Sequence, residues 1–279
     1  VPGRTAGGEV RGGGGVAVLA PRVRGRACAT PEMACRSLAG QAEVRAIQAA
    51  EPGPVSQCIA GSDVALWDLH ERRQGQPVWK LLGGQSPKVA LYASGLNPTA
   101  PEKLAALKLG HGYRAFKLKV GFGKERDLAN LKALREAVGD LPLMVDANQA
   151  WHVETSIEMA AAFEAFDLGW LEEPLRADRP WSEWQHLASN TKLGLAAGEN
   201  LAAFPAFERA LESHALAVVQ PDLAKWGGFS GCLPVAKKLL GHGMRFCPHY
   251  LGGGIGLVAS AHLLAAAGAV ASVFTILAL

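Results

Sequence analysis

Short apolar runs recur along the middle of the chain, and each leads into a residue that is charged or can become so. The runs at residues 115–120, 141–145, 168–171, 193–198, 215–220 and 244–248 carry Lys119, Asp146, Glu172, Glu199, Asp222 and His249, spaced 27, 26, 27, 23 and 27 apart. A short continuous apolar run bounded by turn residues marks a strand buried on both faces, as in a parallel sheet. The segments between the runs have helical character, and ~30 residues per strand-plus-helix unit is what a barrel of ~250 residues requires. The pattern predicts an α/β chain built on a (β/α)8-type, TIM-like barrel. Charge at the carboxyl end of every strand then converges on one mouth, where the loops leaving the strands enclose a common cavity.

Punctuation between the runs fits this alternation. Thr99-Ala100-Pro101-Glu102 and Thr155-Ser156-Ile157-Glu158 match the capping box, in which a Thr oxygen accepts from an orphan amide and a Glu three residues on reaches back. They predict helix starts after a first strand at 89–93 and after the strand ending at Asp146. Gly110, Gly139, Gly169, Gly194 and Gly241 stand as helix stops before strand-like runs. Residues 54–75 read as a helix carrying Val55, Ile59, Val64, Leu66 and Leu69. That helix and residues 78–84 precede the barrel repeat and are expected to pack against it. Residues 1–50 are rich in Gly, Ala and Arg and show no sustained period, so no structure is assigned to them and they stay open to disorder. Residues 252–279 carry no charge, but residues 263–279 fall short of the ~20 apolar residues of a membrane span. A buried helix followed by a strand is expected there.

Composition narrows the function classes. A chain of 279 residues, 49% hydrophobic and with a formal charge of +3, can bury a large core and has no strong bias toward nucleic acid or membrane. The five cysteines, Cys28, Cys35, Cys58, Cys232 and Cys247, include no CxxC pair and favour reduced thiols in the cytoplasm, with Cys247 close enough to His249 to line the site. No signal peptide is read, because the apolar run at 16–20 is short and is followed by Arg22, Arg24 and Arg26. GxSxG, P-loop and zinc spacings are absent.

The strand ends supply the candidate chemistry. Asp146, Glu172 and Glu199 close three consecutive runs, which should set them side by side. Carboxylates that close raise one another's pKa unless a cation neutralises them, and hard Mg2+ takes oxygen ligands while leaving positions for a substrate oxygen. Each acid alone reads as an ordinary strand-end residue, but three on adjacent strands favour a metal site. Lys117 and Lys119, two apart on one strand, point to the same face, where two ammonium groups would depress each other's pKa and free one as a base near neutrality. Asp222 and His249 end the next two strands. A carboxylate beside an imidazole fixes its tautomer and raises its basicity, giving a second acid/base group across the barrel from the lysines. A core histidine bonded to backbone is the alternative.

Six motifs together resemble the enolase superfamily, in the order and spacing of its mandelate racemase branch. They are Phe116-Lys117-Leu118-Lys119-Val120-Gly121, Val145-Asp146-Ala147-Asn148-Gln149-Ala150-Trp151, Leu171-Glu172-Glu173-Pro174, Gly198-Glu199-Asn200, Gln220-Pro221-Asp222-Leu223-Ala224-Lys225-Trp226-Gly227-Gly228 and Pro248-His249. The likeness runs over roughly residues 54–268. The muconate lactonizing and dipeptide epimerase branch has a Lys where this chain has Asp222, so Asp222 with His249 points to the racemase and acid-sugar dehydratase side. The resemblance implies Mg2+ on Asp146, Glu172 and Glu199, substrate contacts from Asn148 and Lys225, and removal by Lys119 or His249 of the proton alpha to a carboxylate. Lys117 would stabilise the resulting enediolate. Loss of a β-hydroxyl would dehydrate an acid sugar, with His249 as the acid; reprotonation would racemise, and lactone cycloisomerisation belongs to the same family. The implied partner is a small carboxylate substrate, in a cytoplasmic homo-oligomer.

Against that family the chain divides into an atypical segment 1–53, a remnant of an N-terminal α+β capping domain at 54–85, and a barrel at 86–279 with an altered eighth strand. The family's capping domain is expected to be truncated here, and residues 271–279 lack the acid often found at the end of strand eight. Damage at both ends, by truncation or a shifted reading frame, would leave an inactive relic or scaffold. A phosphate-binding isomerase barrel, resting on Gly252-Gly253-Gly254-Ile255-Gly256, leaves the three carboxylates unexplained.

Overall fold

A computed structural model describes residues 30–48, 50, 52–268 and 273–277. Eight parallel strands form one sheet: β1 (Ala90–Leu96), β2 (Phe116–Lys119), β3 (Leu143–Asp146), β4 (Leu168–Glu172), β5 (Leu195–Ala197), β6 (Val218–Val219), β7 (Arg245–Phe246) and β8 (Val273–Leu277). The order is β7-β6-β5-β4-β3-β2-β1-β8, so β8 returns beside β1, with Tyr92 opposite Thr275. That curling is consistent with a TIM-like barrel, and the sheet pairs no β7 residue with β8 among the described residues. Strand-to-helix connections are made by α4 (Pro101–Gly110), α5 (Lys124–Val138), α6 (Val153–Phe163), α7 (Trp181–Ser189), α8 (Phe204–Glu212), α9 (Gly228–Gly241) and α10 (Gly254–Ala267). Before the sheet come α1 (Pro31–Gln48), α2 (Pro52–Gln74) and the short α3 (Val78–Leu81).

Alternation within the strands sorts the side chains into two layers. Phe116, Leu118, Leu143, Val145, Leu171, Leu195, Val219 and Phe246 face the helices and form the main core. Tyr92, Ala115, Met144, Trp170, Ala196, Val218 and Cys247 form a second cluster inside the curl of the sheet. Lys117, Asp146 and Glu172 continue that inward row toward the carboxyl ends, as a period of two requires. A helix such as α5 follows the complementary rule: Asp127, Leu131, Leu134 and Val138 form its buried stripe, and Gly139 ends it with φ 60°.

Several expectations change. Residues 31–48, to which no structure was assigned, form α1. Thr30 Oγ1 accepts from Met33 N at 3.3 Å, and Ala34, Cys35, Leu38, Ala42 and Ala46 are buried. That stripe is mostly small residues, while the larger Met33, Val44 and Ile47 face outward, which blurs the helical period. Neither capping box forms. Ala100 precedes α4 in a left-handed conformation with no side-chain cap, and Thr155 lies inside α6, whose start at Val153 follows His152. Gly169 sits within β4, not ahead of it. Residues 1–29 and Cys28 among them lie outside the described residues, as do 269–272 and 278–279. Cys35, Cys58, Cys232 and Cys247 are buried and form no disulfide among the described residues. No described helix is long and apolar enough to cross a membrane.

Candidate active site

The carboxyl ends of β2 to β7 bring every sequence-predicted site residue to one mouth. Asp146 and Glu172 are register partners on β3 and β4, and Lys117 lies between them. Its Nζ is 3.2 Å from Asp146 Oδ2 and donates a short bond to Glu172 Oε1. Lys119, one pleat further along β2, donates to the same Asp146 oxygen at 2.6 Å and to Asn148 Oδ1 at 2.7 Å. The two lysines therefore share a face, but the expectation that they depress each other does not hold for Lys117. Burial would push its ammonium toward neutrality, yet the Glu172 charge, Tyr92 and Asp146 hold it well above the ordinary lysine value. It is a fixed buried cation, with Nζ 5.6 Å from the Tyr92 ring centre.

Glu199 turns to the histidine side of the mouth, with the Asp146 charge still acting on it. It follows β5 by two residues, and its Oε2 lies 2.9 Å from His249 Nε2. Asp222 Oδ2 takes the other ring nitrogen, Nδ1, at 2.8 Å. Burial would lower the imidazole, but its bonds to Asp222 and Glu199 outweigh that and raise it to about 9. Opposed to its own burial, Glu199 is pulled down to about 2 by His249 and Lys225. Lys225 Nζ lies 3.5 Å from Glu199 Oε1 and 3.3 Å from Asn200 Oδ1. Asp146 is likewise held well below the carboxylate range, because Lys117 and Lys119 outweigh its burial.

Four participants had no role assigned from sequence. Trp170 Nε1 and Gln220 Nε2 donate to Glu172 Oε2 at 3.0 and 2.7 Å. Asn200 donates to Glu173 Oε1 at 2.8 Å, and the second oxygen of Glu173 is buried without a hydrogen-bond partner. Burial, and then the Glu199 charge, push the Glu173 carboxyl up to about 8. Period-two spacing could have found Trp170, two before Glu172. Glu173 was hidden because it leaves the strand with φ 42°, a conformation uncommon outside glycine. Cys247 is buried beneath the Lys117–Glu172 pair, and does not line the open mouth. Gly252 and Gly256 pack on Tyr250, leaving no room for a Cβ at either, and Tyr250 Oη donates to Gly253 O.

As placed, no three of the described acids, histidines and cysteines group around a point that would hold a metal ion. They are turned instead to Lys117, Lys119, Lys225 and His249. The donor set still suits a hard cation. Five carboxylates, Asp146, Glu172, Glu173, Glu199 and Asp222, meet four basic groups, all the acids offer oxygen, and one buried oxygen is left over.

Comparison with known proteins places the chain in a family. The model for the enolase C-terminal domain-like family matches residues 100–275, and that for the mandelate racemase / muconate lactonizing enzyme N-terminal domain matches residues 30–83. A 3,6-anhydro-alpha-L-galactonate cycloisomerase of Streptomyces coelicolor is 37% identical over 71% of this chain and 56% of its own length. An L-talarate/galactarate dehydratase of Salmonella typhimurium is 38% identical over 71% and 51%. The chain thus spans about half the length of these curated relatives. A crystal structure of a mandelate racemase/muconate lactonizing enzyme from Bordetella bronchiseptica RB50 superposes with a TM-score of 0.96 at 52% identity, over 99% of this chain and 77% of that one. A racemase of Streptomyces coelicolor with bound magnesium gives 0.82 at 30% identity, over 94% and 73%. With both domain models matched in order and the strand-end acids and bases gathered at one mouth, the chain belongs to the enolase superfamily, in its mandelate racemase/muconate lactonizing enzyme family.

Proposed function

We propose that this chain removes the proton alpha to a carboxylate with the help of Mg2+, and that the net reaction is dehydration of an acid sugar. The observation that carries the reading is the pair of differently held bases at one mouth: Lys119 on Asp146 and Asn148, and His249 between Asp222 and Glu199. Asp146, Glu172 and Glu199 would hold the ion, which supplies Lewis-acid stabilisation of the substrate carboxylate as charge develops there. The magnesium-bound racemase structure supports that choice of ion.

Lys119 shares one Asp146 oxygen with Lys117 and is held at the mouth by Asp146 and Asn148, which places it to act as the base. Lys117 remains charged and buried, suited to stabilising the negative charge of an enediolate without reorganisation. His249, oriented through Nδ1 by Asp222, is suited to deliver a proton to a departing β-hydroxyl. Asn148 and Lys225 stand at the rim, where they can bind the polar end of a substrate. The dehydratase among the relatives and the Asp222–His249 pair favour dehydration. The cycloisomerase relative favours, as the second reading, cycloisomerisation of a sugar-derived lactone or anhydro-sugar acid.

The test is α-proton exchange in deuterated water over a panel of sugar acids. Exchange should fall with Lys119→Met for one stereochemistry and with His249→Asn for the other. Exchange insensitive to both would refute the assignment. Dehydrated and cyclised products separate the two readings, and a folded chain with no exchange at all would leave it a scaffold.

A further inference from the structure

Asp63 lies on α2 and has no part in the chemistry above. It is fully buried. Its Oδ2 accepts from Ser230 N at 3.1 Å, and its Oδ1 accepts from the Ser230 hydroxyl. The Phe229 amide and the Cys35 thiol of α1 also bond to it. Trp67, one turn further along α2, donates from Nε1 to the same Ser230 hydroxyl at 3.1 Å. Ser230 is in the first turn of α9, so a carboxylate from the segment before the sheet closes the N-terminus of a helix 167 residues away. Orphan amides and the positive end of the helix dipole make that a favourable seat. The fit also demands glycine at 228: φ is +55°, and an added Cβ would fall 2.3 Å from Asp63 Oδ2 and 2.6 Å from its Cβ.

The segment from Asp222 to Gly228 links this seat to the mouth with little slack. Asp222 Oδ1 accepts from the amides of Ala224 and Lys225 at 2.8 and 3.1 Å, and its carbonyl accepts from Trp226 at 3.0 Å. Gly228 N donates to Leu223 O at 3.1 Å, and the Cys232 thiol donates to Trp226 O at 3.2 Å. The other Asp222 oxygen holds His249. Lys119, by contrast, is held from β3 through Asp146 and Asn148, and no bond joins it to this loop.

We propose that Asp63 is a positioning residue for the Asp222–His249 pair: by seating the first turn of α9 it fixes the loop from which Asp222 orients the imidazole. The catalytic consequence rests on the proposed function, whereas the mechanical link does not. The effect is one-sided, reaching the histidine face of the mouth and sparing the lysine face.

Backbone hydrogen exchange, read by mass spectrometry on the intact chain, tests the link. In Asp63→Ala the peptides over 222–232 should exchange about tenfold faster, while those over 146–151 and 172–174 stay unchanged. Asp63→Asn, which keeps the shape and one acceptor oxygen, should fall between. Ser230→Ala removes only the hydroxyl and serves if the Asp63 variants do not fold; it should quicken the same peptides and no others. Unchanged exchange over 222–232, or equal acceleration in all three regions, overturns the proposal. In the α-proton assay Asp63→Asn should lower exchange at the His249 face and leave the Lys119 face intact. If His249→Asn lowers exchange and Asp63→Asn does not, the inference fails. If His249→Asn itself has no effect, the functional reading fails, and the amide data alone judge the link.

Discussion

At the scale of single residues, burial decides what each charge is worth. Lys117 is 2% exposed and sits between Asp146 and Glu172, so removing it strands two carboxylates in a dry interior. Lys117→Met should cost about 3–5 kcal/mol in urea denaturation, and adding Glu172→Gln should recover part of that loss. Recovery in the double variant separates an electrostatic cost from a packing one. His249 gives a prediction in pH. Its folded value, about 9, lies above the ordinary 6.5, so its contribution is fully present below pH 6.5 and is lost as pH rises through 9. Wild-type stability should therefore fall over that window, by up to about 3 kcal/mol, and the fall should vanish in His249→Asn. A slope that survives in the variant would show that another group causes it. These charged positions were legible because they recur at strand ends in the sequence. Glu173 was not: its meaning lies in an unpartnered oxygen, which depends on what other strands bring to it.

At the scale of elements, the apolar runs located every strand from β1 to β7, because burial on both faces leaves a signal that needs no period. Helix starts were less legible. The Thr-x-x-Glu patterns at 99–102 and 155–158 were local signals overruled by tertiary position: Thr99 sits beside Arg126, 3.4 Å from its Nη2, and Thr155 is carried inside the first turn of α6. The junction between β5 and β6 shows what sequence spacing cannot. Gly198, just before Glu199, has φ 140°, and an added Cβ would fall 2.7 Å from the backbone nitrogen of Gln220. Backbone cannot swing aside as a side chain can. Gly198→Ala should therefore destabilise by about 1–3 kcal/mol and, by displacing Glu199 and Gln220 together, weaken metal-dependent behaviour more than its stability cost alone explains. A fully stable Gly198→Ala chain would show that the two strands can separate there at little cost.

For the whole molecule, the spacing of strand ends implied the curled sheet and its chemical mouth, and β8 beside β1 agrees with the helix and strand expected after residue 252. The helix α1 was missed because its buried stripe is made of small residues. What the sheet adds is coupling. Asp146, Glu172 and Glu199 lie at the ends of three neighbouring strands, β3 to β5, and His249 ties Glu199 to Asp222 after β6. An ion bound there would connect strands that unfold together, so its binding energy should appear in the unfolding of the sheet and not in a local transition. At a hundredfold excess over its dissociation constant, Mg2+ should add ~2.7 kcal/mol to stability, seen as a rise in the thermal midpoint. Binding requires the carboxylates to turn from the lysines and imidazole that now engage them, so the dissociation constant should rise as pH falls and protons compete for the same oxygens. Glu199→Gln should abolish the shift while leaving the strands in place. An unchanged midpoint in the wild-type chain, or an undiminished shift in Glu199→Gln, would remove the ion from this mouth and with it the proposed route to the α-proton.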